Sequence, residues 1–317
     1  METNKIANEL LKLGGFMSER AKFSQKHSEF TFFPALIYCS LNKSYEFLKL
    51  VYLDENNESC FFITSFLRGL CEDIIILESI HNFPFEKREK LLRGIQLLEL
   101  NERVHTQWDF FELYRPFQPV INTVFSFDKE KNEVQNIWRE NGWPKFEVTS
   151  TRLMPPTKQL AEKLAPGILD VLYEFIYRLS STTVHFSPQT LLRMSWGNID
   201  VNNMSGTISV KHMANYHKTF CQVYGALLFT FYFEFFSDEI QATEKEQSII
   251  EEIRKELLRE LRWPEMVTFE EMNVPVPSAY HNQILTYGIL HQAIIQTMQK
   301  GFANSTWKNF IEKIRIK

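Results

Sequence analysis

An almost unbroken apolar run, TFCQVYGALLFTFYFEFF at Thr219–Phe236, has to leave water wherever this chain folds. Its length is nearly that of a membrane-spanning helix. Gln222 and Glu234 interrupt it, however, and no clear positive cluster flanks it. Apolar on all sides, it reads as a helix at the centre of a large helical core. The chain can supply such a core: it has 317 residues, with only 11 glycines and 12 prolines against 28 phenylalanines. So few breakers in so long a chain favour long helices over a turn-rich β architecture.

Periodicity fills in the surround. Residues 29–53 form an apolar helical segment entered near Pro34, and 59–82 form a second. In that second segment Phe61, Phe62, Phe66, Leu70, Ile74 and Leu77 recur at three- and four-residue steps and are expected to face the core. Residues 85–111 are amphipathic and highly charged, as a surface helix should be. Helix-ending signals then accumulate between Trp138 and Thr157: Asn141-Gly142, Trp143-Pro144 and Met154-Pro155-Pro156. This is the expected long loop. The chain therefore reads as one helical domain (1–317) that divides into helical halves, 1–140 and 158–317.

Residues 159–186 are expected as a helix, 198–210 as irregular chain with room for a short strand, and 212–237 as the apolar helix. Residues 243–261 and 278–300 complete the series, the last ending at Gly301. The fold class is all-α, a multi-helix bundle of eight to ten helices. No internal repeat appears.

Composition narrows function mainly by exclusion. Hydrophobic residues make up 44% and charged residues 23%, so the chain is globular, not disordered. A net charge of −4 supplies no global basic field, which argues against a dedicated DNA-binding protein but leaves room for a local basic cleft. Cys39, Cys60, Cys71 and Cys221 form no CxxC pair and no ligand spacing with histidine, so a reducing cytoplasm is expected and no metal site. METNKIANELLKLGG has no long apolar stretch and no small-residue cleavage site, so no secretion signal and no stable membrane association are expected. His212, His217, His281 and His291 show no ligand pattern. P-loop, dinucleotide and nucleophile-elbow motifs are missing, and no cofactor is expected.

The chemically pointed stretch is PGILDVLYEFIYRLSSTTVHFSP, Pro166–Pro188. On a wheel of about 100° per residue, His185 falls about 20° from Arg178, two turns on. Glu174, Ser181 and Thr182 share that side, opposite Leu169, Leu172, Ile176 and Leu179. A guanidinium matches phosphate oxygens, and an imidazole moves protons near neutrality. RNA supplies its own nucleophile in the 2′-OH, so this pair suffices for phosphodiester cleavage without a metal. The plainer alternative is an Arg178–Glu174 pair at i,i+4, Ser and Thr facing water, and His185 capping a carbonyl.

The Arg-x6-His spacing late on a helix resembles the signature of the HEPN superfamily. YRLSSTTVHFSP, with GWP at Gly142–Pro144 and SFLRGLCEDIIIL at Ser65–Leu77, resembles a bacterial family known only as a domain of unknown function. The similarity spans roughly residues 30 to 240. It implies a HEPN-like core with helical additions at both ends and a metal-independent endoribonuclease of a phage-defence or toxin–antitoxin system. Arg178 and His185 would be catalytic, with Glu174, Ser181 and Thr182 supporting them. Arg68 and Glu72, one turn apart, would face the Arg178 helix in a shared buried polar site; their plainer alternative is an intrahelical ion pair. RNA would be the substrate, with a homodimer and an antitoxin or regulator as partners. Two positions depart from the pattern: Leu179 follows Arg178 where Asn, Asp or His is frequent, and Phe186-Ser187 separate His185 from Pro188. The competing reading is a non-catalytic helical sensor or scaffold that binds a nucleotide or a protein.

Overall fold

In the computed structural model the apolar run occupies helix Ala214–Phe235, and every residue from Phe220 to Phe233 is buried. The description covers residues 3–21, 31–53, 60–118, 126–165, 167–185, 187, 188, 190, 199, 200, 205, 206, 214–260 and 263–265. In chain order the helices are α1 (Thr3–Ala21), α2 (Phe32–Tyr52), α3 (Cys60–His81), α4 (Phe85–Tyr114), α5 (Asp128–Glu140) and α6 (Thr157–Lys163). Next come α7 (Ile168–Leu172), a π-helical turn (Tyr173–Tyr177), α8 (Arg178–Val184), α9 (Ala214–Phe235) and α10 (Glu244–Arg259). A two-residue antiparallel pair, Ile199–Asp200 (β1) with Ser205–Gly206 (β2), lies within the stretch read as irregular. The expected helix over 278–300 lies outside the described residues, as do His212, His281 and His291. No described helix is long and apolar enough to cross a membrane.

Helix α9 packs on α3, α2 and α10. Phe220, Phe229, Phe231, Tyr232 and Phe236 are among the largest fully enclosed side chains, each burial worth about 1.5–3 kcal/mol. Several polar groups within this core are matched. Gln222 Nε2 donates to the Val51 carbonyl (2.8 Å), and Tyr52 Oη donates to the Gln222 carbonyl (3.0 Å). Arg254 Nη2 reaches the Thr230 carbonyl (2.9 Å) and Glu234 (3.1 Å). Glu234, which argued against a membrane span, therefore sits at the exposed edge in an ion pair with α10. One buried cluster runs from Ile6 to Leu257, joining side chains from before and after the 141–156 loop.

The start of α2 shows how distant residues finish a helix. Thr31 makes no side-chain cap. Instead the Glu89 carboxylate from α4 accepts the backbone N–H groups of Phe32 (2.5 Å) and Phe33 (2.9 Å). Pro34 is tolerated in this first turn because the N–H it lacks would have had no intrahelical acceptor.

Two expectations need correction. In α3, Phe62 and Phe66 are 55% and 58% exposed. The buried arc runs instead through Ile63, Leu67, Leu70, Cys71 and Ile74. Helix α3 is clasped by α9, α8 and α2, so its broad inner face leaves those two phenylalanines off to one side. The continuous helix expected over 159–186 is also broken. Helix α6 ends at Lys163 and α7 begins after Gly167. Pro166 drives the preceding residue out of helical geometry, and the Asp170 carboxylate accepts the Gly167 N–H (3.2 Å) to start the second helix.

The 141–156 loop is packed, not loose. Trp138 stacks edge-on against Phe83, Trp143 and Phe146, and its Nε1 donates to the Leu153 carbonyl (3.1 Å). Gly142 turns the chain at φ +106°, a conformation that favours glycine.

Candidate functional site

The stretch that carries Arg178 and His185 is not a uniform α-helix. Five residues, Tyr173–Tyr177, form a π turn between α7 and α8. Such a turn admits one extra residue into the helix and is frequent at functional sites. Here it shifts the register of everything before Arg178 relative to everything after. Leu169, Leu172 and Ile176 are buried as the wheel requires, and Ser180 is also fully enclosed. The Tyr173 and Tyr177 rings stack at 4.7 Å, and burial pushes the Tyr173 hydroxyl up from its ordinary range.

The π turn is held by α3. The two elements pack directly on each other, and burial pushes the Cys71 thiol of α3 far up. One turn earlier on α3, Arg68 Nη2 donates to Tyr177 Oη (3.1 Å), and the guanidinium lies 5.1 Å from the ring centroid. Arg68 Nη1 meets His185 Nε2 at 2.9 Å. A guanidinium can only donate, so Nε2 accepts, and Arg68 occupies its lone pair in this arrangement. Arg68 Nε is shielded and makes no hydrogen bond.

Arg178 points elsewhere. Its Nη1 binds Glu174 Oε2 at 2.6 Å in an i,i+4 pair, with 64% and 52% of the two side chains exposed. That hydrogen bond raises the Arg178 pKa, but an exposed pair of this kind contributes little to stability. Ser181 Oγ donates to the Tyr177 carbonyl (2.7 Å) and Thr182 Oγ1 to the Leu179 carbonyl (2.7 Å). Both hydroxyls are closed onto their own helix. His185 ends α8 with an extended backbone, φ −96° and ψ 159°. It therefore leaves the wheel position calculated for it and reaches α3. The stripe thus separates into an Arg178–Glu174 pair and an Arg68–His185–Tyr177 group.

Arg68 and Glu72 do not pair with each other. Glu72 Oε1 accepts from Thr157 Oγ1 (2.6 Å) at the start of α6. Both are half-buried, so the enclosed polar site expected for them is an open one. Residue spacing alone does not point to Tyr177 or Thr157. Tyr177 adjoins Arg178 in sequence, but only the π turn reveals that its hydroxyl faces α3.

One turn before Arg68, the Thr64 hydroxyl lies 3.0 Å from His217 Nδ1 and 3.4 Å from Cys221 Sγ. His217 is 2% exposed and stacks edge-on with Phe61. Here the Nδ1 of a buried histidine is met by a core hydroxyl. Among the described residues, no three His, Cys, Asp or Glu side chains converge as metal ligands would.

Residues 62–203 match a family of unknown function (DUF5677). The match is short of half the chain, but it holds Arg68, Glu72, Tyr177, Arg178 and His185 together and stops before α9. No curated protein and no solved structure matches the chain.

Proposed function

We propose that this chain is an endoribonuclease of the HEPN type, cleaving RNA by attack of the substrate's own 2′-OH, with His185 as the proton-transfer group and Arg68 as the phosphate-binding cation. The observation that carries this reading is the 2.9 Å contact between Arg68 Nη1 and His185 Nε2. It brings a permanent fork of donors and a proton acceptor to one open spot between α3 and the end of α8. A scissile phosphate has the geometry to draw the Arg68 donors onto its oxygens. That transfer frees Nε2, which then takes the 2′ proton as the oxygen attacks phosphorus. The bond to the 5′ oxygen breaks, that oxygen takes a proton from solvent, and the products are a 2′,3′-cyclic phosphate and a 5′-OH. Arg68 offsets charge on the phosphorane. Arg178, at the exposed edge with Glu174, serves the flanking phosphates. The chemistry needs no metal or cofactor, and a second copy and a neutralising regulator are its expected companions. A phage-defence or toxin–antitoxin setting fits such an activity.

The alternative is a non-catalytic sensor or scaffold that binds a nucleotide or protein. It is favoured by one observation: among the described residues only Arg68 is hydrogen-bonded to the His185 ring, and no carboxylate orients it. One experiment separates the two readings. A labelled RNA is incubated with the wild type, His185→Ala and Arg68→Ala, alongside the same strand with 2′-deoxy nucleotides. Nuclease action requires cyclic-phosphate ends from wild type, none from His185→Ala, and none from the deoxy strand. Cleavage by His185→Ala at the wild-type rate removes the mechanism. Binding without cleavage by any form supports the sensor.

A further inference from the structure

On the far side of α3 from Arg68, the fold holds a second, chemically distinct cleft. Asp73 lies about 140° around the helix from Arg68 and faces α2. Between α2, α3 and α4, and also lined by Met154, is a cavity of about 400 Å³, within the range of small-molecule sites. Leu36, Ile76, Leu77, Leu92 and Ile95 make most of its wall.

One end of the cavity is polar, and that corner is built from the interior outward. Tyr232 of α9 is fully buried, and its hydroxyl lies 2.5 Å from Ser40 Oγ. Ser40 Oγ donates to Asp73 Oδ2 (3.0 Å), and Lys43 Nζ donates to the same oxygen (2.8 Å). Burial pushes the Tyr232 hydroxyl far up, so it remains a donor. Asp73 Oδ1 takes no hydrogen bond from the described residues, and Lys43 spends one of its three donors on Asp73. The corner therefore offers one acceptor and two donors a short distance apart. Glu99 at the rim adds a second negative charge to that of Asp73, against the single positive charge of Lys43.

We infer that this cleft binds a small neutral amphiphile, a medium-length aliphatic chain ending in a hydroxyl group. The hydroxyl accepts from Lys43 Nζ and donates to Asp73 Oδ1, while the chain lies along Leu36, Ile76 and Ile95. A carboxylate head would meet Asp73 and Glu99. An ammonium head donates to Asp73 Oδ1 but leaves Lys43 Nζ facing a second cation with no lone pair to accept from it. A water-sized group takes roughly 30 Å³, so on the order of ten heavy atoms fill the space, and an eight-carbon alcohol fits. The site is independent of the nuclease reading, since it shares no side chain with Arg68, His185 or Tyr177.

Cys39 supplies the reporter. It is exposed and lines the cleft, whereas Cys71 and Cys221 are buried. The full-length protein is alkylated with iodoacetamide in the presence of 1-hexanol, 1-octanol, octanoate or octylamine, and each cysteine is followed by peptide mass. Saturating 1-octanol should slow Cys39 labelling at least fivefold and leave Cys71 and Cys221 labelling unchanged. Half-protection should need about tenfold less 1-octanol than 1-hexanol, since each methylene contributes about three- to fourfold. Octanoate should need at least tenfold more, and octylamine more than 1-octanol. Leu36→Trp, at a position 40% exposed, should fill the mouth and abolish protection with an unchanged helical circular dichroism spectrum. Gln96→Trp, at a lining position on α4, is a second plug should the first fail to fold. Lys43→Met should erase the preference for the alcohol. No slowing by 1-octanol, equal protection by the charged heads, or full protection in a folded plug variant would each overturn the assignment.

Discussion

Gly225 and Gly15 are both helical glycines, and the structure assigns the same substitution opposite signs at the two sites. At Gly225, midway along α9, an added Cβ would sit 2.5 Å from Phe47 Cε1, 3.1 Å from Phe47 Cδ1 and 3.2 Å from Leu48 Cδ2. Phe47 is 6% exposed and Leu48 is fully buried, so neither ring nor methyl has free space to move into. At Gly15 on α1, nothing lies within 4 Å. Alanine in place of glycine in a helix interior contributes about 1 kcal/mol through backbone entropy. Overpacking a closed core costs about 1–3 kcal/mol. Gly15→Ala should therefore stabilise the protein by about 1 kcal/mol. Gly225→Ala should destabilise it by about 1 kcal/mol, a gap of about 2 kcal/mol or roughly thirtyfold in the folding constant. Urea unfolding followed by circular dichroism at 222 nm measures both. Phe47→Leu in the Gly225→Ala background makes room for the methyl, so the double variant should be more stable than the sum of the singles by at least about 0.5 kcal/mol. A Gly225→Ala protein as stable as Gly15→Ala would refute the packing of α9 against α2 described above.

Three further outcomes are expected. Glu89→Ala strips both acceptors from the start of α2, and a loss of about 2 kcal/mol in urea unfolding should follow. His81 lies 3.4 Å from a Glu78 oxygen and 2.7 Å from a Glu239 oxygen and is stacked on Phe33, with the Arg88 guanidinium donating to its carbonyl; Glu78 chiefly raises its pKa over opposing desolvation. A raised histidine stabilises the fold below its unfolded pKa and loses that contribution as pH rises through the folded one, so the stability gap between wild type and His81→Asn should be wider at pH 5.5 than at 8.5, and a gap that widens with pH would reverse the assignment. Under the nuclease reading, Arg68→Ala should lower cleavage about 10²–10³-fold while Arg178→Ala lowers it by less than about tenfold; the opposite order would return the phosphate to Arg178.

The fold was largely legible because its strongest signal is also its centre. Thr219–Phe236 is apolar on every face, and a surface helix cannot be. The boundaries near Pro34, the 141–156 loop and the Val184 end of α8 followed from proline and glycine chemistry that acts within a few residues. What escaped was set by neighbours far away in sequence. Phe62 and Phe66 have the spacing of core residues, yet three helices crowd α3 from the other side. The candidate site was half visible. Arg68 and His185 could be singled out from residue type and motif, but the wheel that joined His185 to Arg178 assumed uniform helical turns. No periodicity announces a π turn. It goes with the stacking of Tyr173 on Tyr177 and with the packing of α3 against that turn.

The imidazole of His185 is held by a guanidinium 117 positions earlier in the chain. Neither α3 nor the α7–α8 segment carries the pair by itself, so a peptide cut from either one has nothing to act with. The contact also sits just past the C-terminal end of α8. Small rotations of α3 will therefore be felt first at this hydrogen bond, long before the aromatic interior loosens, and the ring nitrogen signals of His185 would serve as a gauge of how tightly the two helices are clasped.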